Sequence, residues 1–159
     1  MIIDTTENSV KAAMKNATSI PNGISRITPY AFGDMHTTNI TCPSSVTIID
    51  GHAFDGCTEL MSFYLPTPMI SSVGEYAFNN CKKIRSIREI ANNCKNIGSY
   101  AFSGCISAND YLDLSNLSGY SEYMFADSGV TRLTLTNEIN SNHAFSNMHM
   151  LFKVDFQNS

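Results

Sequence analysis

Apolar positions in this chain recur in short alternating runs rather than in long stripes. The runs are Thr18-Ser19-Ile20, Ile40-Thr41-Cys42, Phe63-Tyr64-Leu65, Ile87-Arg88-Glu89, Leu112-Asp113-Leu114, Leu133-Thr134-Leu135 and Val154-Asp155-Phe156. Alternation with a period of two predicts half-buried strands, because successive side chains point to opposite faces. Glu89 breaks the pattern in the fourth run, and a one-residue shift that turns Ile90 inward would restore it. Between the runs one phrase returns: Tyr30-Ala31-Phe32, His52-Ala53-Phe54, Tyr76-Ala77-Phe78, Tyr100-Ala101-Phe102, Tyr123-Met124-Phe125 and His143-Ala144-Phe145. Its Phe residues lie 22, 24, 24, 23 and 20 residues apart and account for six of the nine in the chain, a concentration that chance does not produce.

Other positions keep the same register. Ile27, Ile49, Val73, Ile97 and Tyr120 stand five residues before a Phe, and Met35, Cys57, Cys81, Cys105, Ser128 and Met148 stand three after one. Pro21, Pro43 and Pro66 follow the early runs, where a residue without an N–H ends strand pairing. A unit of about 23 residues with one strand and one turn cannot bury its own apolar face, so the pattern predicts stacked coils sharing a continuous core. Seven parallel strands at ~4.8 Å per step would form a sheet on the order of 30 Å long. The Ala before each Phe would let neighbouring coils approach closely. The last two copies are degenerate, with Asn140 where an Ile is expected.

The pattern I-x-x-I-x-x-x-A-F-x-x-C-x-x-L-x-x-[IF]-x-L-P resembles the BspA-like leucine-rich repeats of bacterial surface proteins, found also in some phages and protists. The run from Val46 through Ile49, Ala53, Phe54, Cys57, Leu60, Phe63 and Leu65 to Pro66 follows it throughout, with Val for the first Ile. The resemblance covers roughly residues 17–156. It implies a curved, right-handed α/β leucine-rich-repeat solenoid, with short parallel strands on one face and AF-containing turns or short helices on the other, used for adhesion or protein binding. Its motif residues are core residues, so it speaks to architecture more than to a site.

The ends need covers of their own. Residues 6–17 predict an N-terminal helix, with Thr6 as N-cap, Glu7 in the first turn and a stripe of Val10, Ala13, Met14 and Ala17. The expected organisation is a single domain, with a capping helix over residues 1–16 and a solenoid of six to seven coils over residues 17–159. Nothing equivalent follows Phe156, so the strand around Leu151–Phe156 is an open edge that could pair with another chain.

Composition narrows the functional classes. Only 15% of residues are charged, while 48 of the 159 are Asn, Ser or Thr, as many short polar turns would require. A net charge of −4 argues against a nucleic-acid or anionic-membrane partner. The N-terminus has neither the basic region nor the apolar core of a secretory signal, and no apolar run reaches the ~18 residues of a membrane span. The expectation is a cytoplasmic or virion-associated protein rather than a classically secreted one, made in a reducing compartment. Three matches to the glycosylation acceptor pattern, at Asn16, Asn39 and Asn116, are what chance gives in a chain this rich in Asn, Ser and Thr.

No nucleophile elbow, phosphate loop, paired catalytic carboxylates or metal-ligand spacing is present, so the reading is non-enzymatic, with no cofactor and no metal. Five cysteines without a C-x-x-C pair give neither a disulfide framework nor a zinc site. Cys57, Cys81 and Cys105 share a position with Met35 and Met148, which marks it as core. The Tyr30/His52/Tyr76/Tyr100/Tyr123/His143 series is either a ligand platform or a row of rings packed on one another. Lys82, Lys83, Arg85 and Arg88 read as a solvated patch. The outward strand positions concentrate Tyr64, Arg88, Tyr111, Asp113 and Arg132 in the middle of the chain, and Tyr and Arg are the residues that anchor interfaces. Two readings fit them: a binding face for a protein or a glycan, or a soluble sheet face with Arg88 and Asp113 paired across strands. The function expected is an interaction module acting through this face. The alternative is a structural component of a phage particle or larger assembly, joined through the C-terminal strand edge as a homo-oligomer or otherwise.

Overall fold

A computed structural model describes residues 1–13, 16–66, 70–136, 139, 141 and 143–157. The chain winds as a solenoid with three walls. One wall is a sheet of six strands: β1 (Ile2–Asp4), β2 (Ser9–Ala12), β3 (Arg26–Ile27), β5 (Ile48–Ile49), β7 (Ser72–Val73) and β8 (Asn96–Ile97), in that order. All neighbours from β2 onward are parallel, with Val10, Ile27, Ile49, Val73 and Ile97 in one register line. The second wall carries the predicted runs: β4 (Asn39–Thr41) with β6 (Ser62–Tyr64), then β9 (Tyr111–Asp113), β10 (Arg132–Leu135) and β11 (Lys153–Phe156). Ser19 adds a single parallel bridge to Thr41.

The third wall is made by the AF phrases, and it is not helical. Each phrase bends twice through left-handed backbone. Tyr30, His52, Tyr76, Tyr100, Tyr123 and His143 have φ between 53° and 65°, and Asp34, Gly56, Asn80, Gly104, Asp127 and Asn147 have φ between 53° and 72°. Two such residues per coil exclude a continuing α-helix. The amides bond along the stack instead: Phe32, Phe54, Phe78, Phe102 and Phe125 donate to the carbonyls of Ala53, Ala77, Ala101, Met124 and Ala144 one coil on. The expected α/β class is corrected accordingly. Among the described residues the one α-helix is α1 (Arg88–Ala91), four residues long.

The N-terminal helix is also corrected. Residues 2–12 form a β-hairpin, with β1 antiparallel to β2. Asp4 accepts hydrogen bonds from the amides of Thr6 and Glu7 and from the Thr6 hydroxyl, and Asn8 turns at φ 47°. These are turn-forming interactions that compete with a helix start. Val10 is then fully buried against Ile27, so β2 continues the ladder and covers the first coil. Ala13 and Ala17 of the supposed stripe pack at the edge of the core, while Met14 lies outside the described residues.

The core runs along the solenoid axis. Phe32, Phe54, Phe78, Phe102 and Phe125 are fully buried and stack at centroid separations of 4.7, 4.9, 5.4 and 5.4 Å. Burial of one such side chain stabilises by about 1.5–3 kcal/mol. Phe63 meets Phe54 and Phe78 edge-on, 5.2 Å from each. The cysteines belong to this core: all five are free and buried. Cys57, Cys81 and Cys105 donate their S–H to the carbonyls of Phe32, Phe54 and Phe78 at 2.9, 3.3 and 3.3 Å.

The single seven-stranded sheet expected from the runs is interrupted at the fourth coil. Where β6 would be followed by a strand at 86–88, Ile87 adopts φ −115°, ψ 3° and α1 begins. Ile87 and Ile90, three apart on this turn, are both buried, so Ile90 reaches the core by a helical turn rather than by a shifted strand. Two side chains, one from the next coil and one from the end of α1, complete the ladder. Asp110 Oδ2 accepts the Ile87 amide at 2.7 Å, and Asn92 Oδ1 accepts the Asp113 amide at 3.0 Å.

Candidate binding face

The break in the ladder decides where the five candidate residues sit. Tyr64 ends β6, 60% exposed, and its phenol meets no partner among the described residues. Arg88 opens α1. Tyr111 and Asp113 bound β9, and Arg132 opens β10 directly beside Tyr111. Three of the five come together. The Arg88 guanidinium lies 5.7 Å from the centre of the Tyr111 ring and that of Arg132 lies 5.3 Å from it. The Tyr111 hydroxyl is 2.9 Å from Thr134 Oγ1, which fixes the ring across β10. Thr134, an outward position in the alternation, is 7% exposed beneath it.

The Arg88–Asp113 pair of the soluble-face reading is not formed among the described residues. Asp113 turns back to accept the amide of Ser115 at 3.1 Å. The carboxylate of Asp110 is occupied by the Ile87 amide and by Ser86 Oγ, 2.8 Å away. Neither Arg88 nor Arg132 therefore has an acid within ion-pair reach among the described residues. The Arg132 Nε–H is buried without an acceptor, so that side chain is held by the aromatic ring rather than by an internal hydrogen bond.

Asp110 and Asn92 shape this face and were not among the candidates. A signal for Asp110 exists in the spacing. Cys57 to Phe63 and Cys81 to Ile87 are six residues, whereas Cys105 to Leu112 is seven, and the added residue provides the extra side chain. Asn92 has no comparable signal, because Asn is abundant at every turn.

The aromatic ridge is a packed row. Tyr30, His52, Tyr76, Tyr100, Tyr123 and His143 stack with centroids 4.7, 4.9, 4.7, 4.9 and 5.1 Å apart and interplanar angles of 2° to 15°. Within the row each ring face is covered by its neighbours, which leaves edges rather than faces for a ligand. His52 Nδ1 is also 2.8 Å from Asp55 Oδ2. Partial desolvation and the neighbouring phenols of Tyr76 and Tyr123 raise the Tyr100 pKa. The four-residue cluster of basic side chains is partly neutralised, since Lys83 bonds Glu59 at 2.7 Å.

The cysteine column offers no exposed nucleophile. Burial pushes the Cys57 thiol up to about 11 and raises Cys81 and Cys105 further. Among the described residues no three His, Cys, Asp or Glu side chains are grouped to hold a metal ion, and no helix is long and apolar enough to cross a membrane.

Comparison with known proteins agrees with this architecture. A family model described as the BspA-type leucine-rich repeat region matches six copies, over residues 11–105 and 88–159. The crystal structure of a leucine-rich repeat protein from Bacteroides ovatus ATCC 8483 is similar, with a TM-score of 0.70 and 23% identity. The match covers 89% of this chain and 43% of that one, so the chain spans less than half of that protein's length. No curated protein matches the chain.

Proposed function

The chain belongs to the BspA-type leucine-rich repeat family, and from that premise we propose that it is a non-catalytic interaction module that holds a protein partner on its strand face. A repeat family of this kind supports protein interaction as the general class. The finer assignment, to Tyr64, Arg88, Tyr111, Asp113 and Arg132, rests on one observation: two arginines without acidic partners lean on one tyrosine at the surface. Tyr and Arg in such clusters supply a large share of interface energy. Tyr64 extends the contact area toward the N-terminal coils.

The test is capture of partners from the native host by the immobilised protein, beside a variant carrying Tyr64→Ala, Arg88→Ala and Tyr111→Ala. The reading expects a protein retained by the wild type and lost by the variant, with both melting at similar temperatures. Equal capture by both would refute it. A glycan array run on the same pair separates a carbohydrate ligand from a protein.

One observation favours a second reading, assembly through the C-terminal strand edge. β11 pairs with β10 on one side alone among the described residues. Leu133 and Leu135 are 1% and 2% exposed, yet their register partners Val154 and Phe156 are 38% and 52% exposed. Phe152 adds a third large apolar group. A mass measurement in solution at high concentration tests it. A dimer abolished by Val154→Lys supports assembly through this edge, and a monomer throughout rejects self-assembly.

A further inference from the structure

We propose that the strand face takes the carboxylates of an acidic peptide segment, gripped by Arg88 from the coil before Tyr111 and Arg132 from the coil after it. This deepens the strand-face reading and rests on it.

The contrast with the opposite wall carries the inference. Arg26 stands on β3 and meets Asp50 with two hydrogen bonds, Nε to Oδ2 at 2.7 Å and Nη2 to Oδ1 at 2.9 Å. That is the paired geometry a guanidinium adopts when a carboxylate is supplied. Arg88 and Arg132 are given none. The two acids that flank Tyr111 in sequence are committed to backbone: Asp110 to the Ile87 amide and Asp113 to the Ser115 amide. The arginines rest instead on a ring that is itself fixed by Thr134. A guanidinium held over an aromatic face keeps its N–H groups in its own plane and off the ring, and in Arg132 it is the terminal nitrogens, not the buried Nε–H, that are open to a planar two-oxygen acceptor. Preordering of this kind lowers the entropy lost on binding.

The same surface selects against a dense polyanion. Asp113 lies on β9 between the two arginines in strand order, and Lys153 on β11 is neutralised by Asp155 at 3.0 Å. The chain as a whole carries −4, so its long-range field repels a sulfated or phosphorylated polymer. Separate acidic side chains in a mixed peptide meet the arginines without bringing many charges against Asp113.

The experiment uses the full chain and three probes: a synthetic peptide alternating Glu and Ser, the same peptide with Gln for Glu, and heparin. Binding is followed by nuclear magnetic resonance at low and at near-physiological salt. The proposal expects the Glu peptide to bind, to shift the Arg132 Nε–H and Tyr111 signals, and to weaken with salt. Arg88→Gln and Arg132→Gln should each weaken it about ten-fold. Lys95→Gln removes an exposed, unpaired cation beside β8 on the other wall and should leave binding unchanged. Arg88→Lys and Arg132→Lys keep the charge without the fork and should recover only part of the affinity, which also covers the case where a Gln variant folds poorly.

Equal binding of the Gln peptide, preference for heparin, or an equal loss in Lys95→Gln would each overturn the proposal. If a native partner is lost from Tyr64→Ala and Tyr111→Ala but fully kept by the Arg88→Gln, Arg132→Gln double variant, the strand face stands and the carboxylate does not. If every variant keeps the partner, both readings fall.

Discussion

The amide of Ile87 donates to the carboxylate of Asp110, 2.7 Å away in the following coil. A side chain thus occupies the place of a strand, and Asp110 is 7% exposed as it does so. Replacing Asp110 with Ala leaves a buried N–H without an acceptor and frees Ser86. The expected cost is about 2–4 kcal/mol in urea unfolding, with faster hydrogen exchange across α1. Asp110→Asn keeps an acceptor oxygen and should cost less. If Ala and Asn variants were as stable as the wild type, the carboxylate would not be supporting the break.

That substitution also marks where the sequence stops being readable. The Phe column, the cysteine column and the strand runs were legible because each residue is repeated by the same packing demand in every coil. The first-wall ladder through Ile27, Ile49, Val73 and Ile97 showed as a column but not as a strand, because two-residue strands leave no alternation to detect. The hairpin was hidden by the near-helical spacing of Val10, Ala13 and Ala17. The Arg88–Tyr111–Arg132 cluster was legible as a row of residue types, while its geometry depends on α1 and Asp110, which break the repeat.

The Phe stack gives a graded prediction. Phe78 is fully buried and has a stacked ring on either side and Phe63 edge-on, whereas Phe145 ends the stack, partly buried, 6.1 Å from Phe125. Phe78→Ala should cost about 3–5 kcal/mol, as large cavities in packed cores do. Phe145→Ala should cost distinctly less, because in a solenoid each unit contacts only its neighbours. Equal losses at both positions in chemical denaturation would contradict a stack whose strength depends on depth.

Gly74 lies where two coils approach backbone to backbone. A Cβ there would stand 2.3 Å from the Gly51 nitrogen and 2.6 Å from the Asp50 carbonyl carbon, and neither can turn aside. Gly74→Ala should separate the coils and lower the melting temperature by several degrees. Gly119 has nothing within 4 Å of the same added atom, so Gly119→Ala should be near neutral. A similar melting temperature for both variants would mean that the coils can slide apart at little cost.

The buried thiols make stability fall in alkali. Burial raises Cys57 to about 11 from a usual value of 9.0, and raises Cys81 and Cys105 further. A raised folded-state pKa favours the neutral thiol in the native state, so its stabilisation is complete below pH 9. Above that value the unfolded chain ionises while the folded chain does not. The unfolded state then binds fewer protons, and stability falls with a slope approaching about 1.4 kcal/mol per pH unit for each thiol involved. For Cys57 the fall ends near pH 11, where the folded thiol ionises as well. For Cys81 and Cys105 it continues to higher pH. Urea midpoints measured between pH 8 and pH 11 should therefore drop steeply, and less steeply in a Cys81→Ala, Cys105→Ala variant compared at its own neutral-pH stability. Thiol labelling of the folded protein at pH 8 should be slow for all three until urea unfolds the chain. Rapid labelling under native conditions, or a slope unchanged by removing two of the thiols, would show that these sulfurs are not sealed in the core.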